Sequence, residues 1–458
     1  MIDSTAAYYR ARRTKLLAQL PGRTVLLSTG EIRLRNITAS GYPFRANSHF
    51  LYFCGDLPPG SYALLNADGA RVFVHQPSVS EQVWEGPIPP TSVWCAKYGL
   101  DSVESVEQLD DAIAKIPREE LTSLPQLDAA GAAKLARLLG RTPSLDRGDR
   151  ELALAVIECR LEQDDLSIDR ARSAAGITAA AFRAGMRQTR VGVSGYHILA
   201  AMEAELLKAG AVPAFPTTLT DHGEVLHNPE IADRLDGELV LADLGAELRG
   251  GDCADVTRVW PVAGKFSSEA RELYELVLSM QTAAIGALRP GVLYGDVHLA
   301  ACKACVEGLI SLKMVRGNAD DLFARNVHSL FFPHGIGHLL GLDVHDMEDL
   351  GDLAGYADGQ VRDSRFGWNF LRLNRRLRPR MLVTIEPGMY WIPALLESSN
   401  YAGPLSDVLC RDQIQRYRHV RGIRIEDDLL ITESGSENLT SGIPKTIEDV
   451  ESLVTAER

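Results

Sequence analysis

"GELVLADLGAELRGGDCADVTRVWPVAG", residues 237–264, marks the point where the periodicity of the chain changes. Upstream, "DRARSAAGITAAAFRAGMRQ" (169–188) and "SGYHILAAMEAELLKAG" (194–210) place alanine, leucine and other apolar residues at helical spacing. From 237 onward, "GELVLADLGAEL", "DVTRVWPVAG", "MLVTIEPGMYW" (381–391) and "GIRIEDDLLIT" (422–432) read as strands. Turns and one helical stretch, 268–288, separate them. Helices first and a mostly antiparallel sheet afterwards make an α+β domain. The Gly-rich turn "GAELRGGDCA" (245–254) predicts a hairpin that brings Asp243 and Asp255 close together.

A chain of 458 residues is too long for a single hydrophobic core, so two domains are expected. Residues 1–150 alternate strand-like runs, "RTVLLSTG" (23–30), "YALLNADG" (62–69) and "RVFVHQP" (71–77), with helical ones, "SVESVEQLDDAIAKI" (102–116) and "GAAKLARLLG" (131–140). That pattern predicts a small α/β domain. The polar "RTPSLDRGDR" (141–150) serves as linker, which leaves 151–458 for the second domain. The opening "MIDSTAAYYRARRTKLLAQL" has no apolar core with a cleavage site and reads as an exposed first helix, not a signal peptide. No apolar run reaches the ~18–20 residues that span a bilayer. A cytoplasmic protein without a membrane partner is the expectation. The net charge of −13 argues against nucleic acid as a partner. Seven cysteines are scattered, and the lone pair Cys302 and Cys305 has no second pair to complete a zinc site. Buried thiols on a helix are the expectation there.

Four acidic residues interrupt or bound these apolar strands: Asp243, Asp255, Glu386 and Glu426. A buried ionised carboxylate is costly unless it is paired or bound to metal. Arg424 and Glu426 lie two apart and therefore share one face of their strand. Converging carboxylates without positive charge would repel, and one would stay protonated. Two divalent ions balance four carboxylates, and a histidine completes five ligands. "FPHGIGHLLGLDVHD" (332–346) offers three candidates, His334, His338 and His345. Gly335 and Gly337 stand between the first two, so a turn entering a strand is expected there, with the imidazoles doing different jobs. Oxygen-rich ligands favour a hard ion and the imidazole a transition ion, which selects two Mn(II), with cobalt or zinc as substitutes.

In order along the chain, "LADLGAEL…DVTRVWPVAGKF", "PHGIGHLLGLDVHD", "TIEPGMY" and "GIRIEDD" resemble the motifs of the proline-specific pita-bread metallopeptidases, the family of aminopeptidase P and prolidase. "YPFRANSHFLYFCG" (42–55) resembles a stretch of that family's N-terminal domain. The resemblance spans most of 40–435 and is strongest after 220. It implies a pita-bread catalytic domain behind a smaller α/β domain. It implies Asp243, Asp255, His338, Glu386 and Glu426 as ligands of two metal ions, with Glu386 also the general base toward a bridging water. His345 then contacts the scissile carbonyl or shuttles protons, His334 and His227 line the substrate pocket, and Arg424 supports the network. Arg372, in "FLRLNRRLRPRM", resembles a prolidase arginine that holds a dipeptide carboxylate. Asp243 and Asp255 are one residue further apart than the family pattern, which makes Asp252 a rival for the second position. "DVTR" and the strand register favour Asp255.

The activity implied is release of the N-terminal residue from Xaa-Pro peptides by an aminopeptidase. The alternatives are an Xaa-Pro dipeptidase and a binding protein on the same fold, and retention of all five ligand types argues against the latter. A homodimer or higher homo-oligomer is implied as well. Asp343 and Asp346 are expected to hydrogen-bond around the motif, and Glu348 and Asp349 to lie on the surface. His49, His75, His197, His222, His298, His328 and His419 are expected to be structural or exposed.

Overall fold

The computed structural model describes residues 2–146, 148–228, 230–357 and 359–456. It divides into two compact units, Met1–Leu166 with Asp349–Ala354, and Ser167–Glu348 with Gly355–Arg458. The division thus falls beyond the 141–150 segment, because the helix Arg150–Arg160 belongs to the first unit.

The first unit is built on a five-stranded sheet in the order Ser102–Ser105, Gly69–Val74, Tyr62–Asn66, Thr24–Ser28, Leu121–Thr122. The inner pairs are antiparallel and the two outer pairs parallel. The three strands expected near 24, 62 and 71 are present, as is a helix at Ala129–Leu139. Residues 102–105 were expected in a helix and instead form the edge strand, pairing Val72 with Val103. Sheet pairing overrides a weak helical pattern there. Leu26, Leu64, Phe73, Leu135 and Leu138 form the core between sheet and helices.

The first helix, Ile2–Ala18, is not exposed all round: Ala6, Tyr9, Arg13 and Leu16 are buried along one face. Arginine on that face hid the amphipathic pattern. Arg13 donates to the carbonyls of Phe53 and Tyr98, and Arg12 pairs with Asp164 at 2.7 Å.

The second unit opens with the helices Asp165–Gln188 and Gly195–Lys208, as their spacing predicts. Its strand pairs are all antiparallel among the described residues. Leu239–Leu244 lies between Thr218–Thr220 and Val256–Pro261. Leu382–Ile385 pairs with Asp427–Ile431, and Gly388–Tyr390 with Gly422–Arg424. The hairpin expected from 237–264 is there, with Leu244 opposite Val256. Gly245 permits it: a Cβ at that position would lie 1.6 Å from the carbonyl oxygen of Ala254.

Between the strands stand Ser268–Ala287, the helix expected at 268–288, and Tyr294–Ser311, the helix expected around Cys302 and Cys305. Pro290 and Gly291 separate them, Gly291 having a φ of +84°. Cys302 and Cys305 are buried in the second helix, as expected, and all seven cysteines are free. No helix among the described residues is long and apolar enough to cross a membrane.

Candidate active site

Each acidic residue of the site enters from a strand end. Asp243 is the penultimate residue of Leu239–Leu244, opposite Thr257, and Asp255 immediately precedes Val256–Pro261. Glu386 follows Leu382–Ile385, and Glu426 sits between Gly422–Arg424 and Asp427–Ile431. The buried side chain of Gln281 ties the last two segments together, donating to the carbonyls of Ile425 at 3.1 Å and Ile385 at 3.4 Å. One helical amide therefore fixes the backbone directly before both glutamates.

The histidines come from a non-regular segment: the turn expected from the two glycines is there, but in place of the strand there is a single bridge, Leu339 to Val383. Gly337 has a φ of +156°, and a Cβ there would meet the Thr384 carbonyl at 2.3 Å. Only glycine lets this segment lie so close to the strand. His338 N in turn donates to Thr384 Oγ1 at 3.2 Å.

All ten residues predicted from the sequence line a single cavity of about 520 Å³: His227, Asp243, Asp255, His334, His338, His345, Arg372, Glu386, Arg424 and Glu426. Phe366, Phe370, Ile392 and Leu395 supply an apolar wall. Asp252 does not take part. It is buried 3.2 Å from Arg170, while Asp255 joins Asp243 and Glu426 with ligand atoms within 4.8 Å of one another. His338, Glu386 and Glu426 form a second such group, and Asp255, His338 and His345 a third.

His338 Nδ1 donates to the Leu339 carbonyl at 2.9 Å, which leaves the Nε2 lone pair free 3.4 Å from Asp255 Oδ2. A carbonyl on the far nitrogen is the arrangement that orients an imidazole ligand. His345 stacks obliquely on His338, ring centres 4.2 Å apart. His334 shares its Nδ1 proton with Gly335 O at 2.8 Å and faces the Tyr390 hydroxyl with Nε2 at 2.9 Å. Burial, helped by the charge of Arg424, pushes His334 down to about 3, so the ring is neutral. Burial and Arg424 also lower His227.

Arg424 is the buried cation of the site. It donates to Asp243 Oδ2 at 2.7 Å, to the Tyr390 hydroxyl at 3.2 Å and to Thr257 Oγ1 at 2.9 Å. Thr257 Oγ1 passes a hydrogen bond to Glu426 Oε2 at 2.7 Å. Sequence reasoning missed Thr257 and Tyr390 as parts of this relay, although both stand inside the quoted motifs "DVTR" and "EPGMY". It also placed Glu348 and Asp349 on the surface. Glu348 instead contacts His345 and Arg372, and Asp349 pairs with the buried His49 at 2.9 Å within the first unit.

One guanidinium does not balance four carboxylates. Burial first, then the charge of Asp243, raises Asp255 well above the usual carboxylate range. Burial, Asp255 and Glu386 do the same to Glu426. Burial also raises Glu386, against the opposing pull of His338. Asp243 Oδ1 is buried with no hydrogen-bond partner. A set of acceptors short of protons and cations fits divalent ions, with Asp243, Asp255, His338, Glu386 and Glu426 as the donor set.

Comparison with known proteins decides the family. Residues 169–433 match the family described as Metallopeptidase family M24. The chain belongs to metallopeptidase family M24. It is thus an enzyme of the hydrolase class, and residues 9–122 match the domain described as Aminopeptidase P, N-terminal domain. The Xaa-Pro dipeptidase of Homo sapiens is 30% identical over 94% of this chain and 89% of its own length. A probable Xaa-Pro aminopeptidase of Aspergillus terreus is 31% identical over 98% of this chain and 96% of its own. The structure of aminopeptidase PepP from Pseudomonas aeruginosa superposes with a TM-score of 0.82 at 27% identity, covering 100% of this chain and 99% of that one. A zinc-substituted aminopeptidase P of E. coli with bound product gives 0.81 at 29% identity, with the same coverage. These relationships bear out the pita-bread architecture behind an aminopeptidase P-type N-terminal domain.

Proposed function

We propose that this M24 enzyme hydrolyses the Xaa-Pro bond and releases the N-terminal residue from peptides with proline in second place. The observation that carries the reading is the cluster of four carboxylates and one histidine with too little protein charge to balance it. Asp243, Asp255, His338, Glu386 and Glu426 would hold two divalent ions, with manganese the choice their oxygen-rich chemistry favours. Such ions supply Lewis acidity toward a carbonyl oxygen and make a water nucleophilic at neutral pH.

The chain's own groups do the rest. Glu386 accepts the proton of the attacking water at a side-chain oxygen. His345 stands beside His338 and is placed to serve the carbonyl and the leaving nitrogen. His334, held neutral and fixed between Gly335 and Tyr390, orients substrate, with His227 on the same cavity wall. Proline lacks an N–H and fixes its own backbone angle, so its recognition relies on shape. Phe366, Phe370, Ile392 and Leu395 give an apolar surface for the ring. The proposal includes a cytoplasmic location and, on the family resemblance, a homodimer or higher homo-oligomer.

The second reading is an Xaa-Pro dipeptidase. The presence of Arg372 in the cavity favours it, because a guanidinium suits a terminal carboxylate. The deciding experiment compares Ala-Pro with a longer Ala-Pro-Yaa peptide on manganese-loaded protein, with Glu386→Ala and His338→Ala as controls. Release of alanine from the longer peptide supports the aminopeptidase. Release from the dipeptide alone supports the dipeptidase. No release from either, with manganese bound, overturns the peptidase reading.

A further inference from the structure

The arginine that lines the cavity is already engaged. Arg372 Nη1 donates to Glu348 Oε2 at 2.5 Å, and His345 Nδ1 lies 3.2 Å from the same oxygen. Glu348 Oε1 is buried and has no hydrogen-bond partner. The contact with Arg372 is therefore made through one oxygen, not as a two-pronged fork. Burial pushes the Glu348 carboxyl up, but the hydrogen bond from His345 and the charges of His345 and Arg372 outweigh it and hold it down to about 2.

The backbone is shaped to make this contact. Met347, buried and not glycine, adopts a φ of +62°. Such strain persists only where the surroundings impose it. The turn it makes brings Glu348 N to within 3.3 Å of the His345 carbonyl and folds the Glu348 side chain back onto the ring three residues earlier.

The consequence is one of charge. An unpaired Arg372 would attract a free carboxylate on the residue that follows the scissile bond. With Glu348 in contact, the pair is neutral, and a substrate ending at proline would bring a second carboxylate beside an existing one. A peptide that continues past proline presents a neutral amide at that place and meets no such repulsion. Like charges in a partly buried site disfavour one another strongly.

We propose that Glu348 is a specificity-determining residue, acting through Arg372, that disfavours Xaa-Pro dipeptides and selects peptides extending beyond the proline. This rests on the Xaa-Pro reading of the site. The test uses Ala-Pro and Ala-Pro-amide, which differ only in the terminal charge, on manganese-loaded wild type, Glu348→Gln and Glu348→Ala. The expected result is that the KM of Ala-Pro relative to Ala-Pro-amide falls about tenfold in Glu348→Gln, a difference of ~1.4 kcal/mol. The gain should vanish in the double variant with Arg372→Ala. A general loosening of the loop would alter both substrates alike and leave the ratio unmoved. The same ratio is read without turnover from calorimetric dissociation constants of D-Ala-Pro and its amide. An unchanged or increased ratio overturns the proposal, an increase meaning that Glu348 holds Arg372 ready for a carboxylate. Failure of every Xaa-Pro substrate to be cleaved would instead count against the peptidase reading, and the calorimetric ratio would still decide the role of Glu348.

Discussion

Glu426 and Asp427 are neighbours in sequence, both almost fully buried, and yet they sit in opposite electrostatic situations. Asp427 points to a complete set of partners: Arg258 at 2.6 Å, Lys445 at 2.5 Å, Asn438 at 2.8 Å and Thr440 at 3.1 Å. Burial alone would raise its carboxyl, but the charges of Arg258 and Lys445 win and hold it far below the usual range. Glu426 receives one hydroxyl from Thr257 and otherwise meets Asp255, Glu386 and Asp243, and its carboxyl is raised well above the usual range. The difference separates two uses of buried charge. Asp427 is saturated and fixes structure, whereas the carboxylates proposed to hold metal are left unsaturated.

The largest effect should come from the unsaturated side. Glu386→Ala should lower kcat/KM for an Xaa-Pro peptide on the order of 10³-fold, read by release of the N-terminal residue, with the circular dichroism of the fold unchanged. On the saturated side, Asp427→Ala strands the buried Arg258 guanidinium. Denaturant unfolding should show a loss of about 3–5 kcal/mol. Manganese at about a hundred times its dissociation constant should stabilise the wild type by ~2.7 kcal/mol, and a chelator should reverse the gain. The smallest effect has the opposite sign to that of Asp427. In metal-free protein, Asp255→Asn removes a charge that burial and Asp243 oppose, and stability should rise by about 1 kcal/mol, while manganese no longer stabilises as before. Loss of stability in that variant would mean that Asp255 is paired as Asp427 is.

The same contrast explains what could be read from the sequence. Asp243, Asp255, Glu386 and Glu426 were visible because an acid inside an apolar strand has few explanations, and for Glu426 the strand period assigned a face shared with Arg424. Asp255 was separable from Asp252 by register, and the structure places Asp252 against Arg170. Asp427 was invisible as an anchor because Arg258 lies far away in the chain and Lys445 stands outside its strand, beyond any local periodicity. Glu348 was misplaced for a related reason. "MEDLGD" looks like a solvated acidic run, and only the left-handed turn at Met347 folds Glu348 back to His345. The edge strand at 102–105 and the buried face of the first helix were missed because sheet pairing and buried arginines leave little mark on local periodicity.

The unsaturated carboxylates are proposed to form a centre for two metal ions. Titration calorimetry of metal-free protein with Mn(II) tests it most directly, comparing wild type with Glu426→Gln. Two ions per chain are expected in the wild type, with loss of at least one in the variant. Absence of binding to the wild type, or the same binding by both proteins, would contradict it.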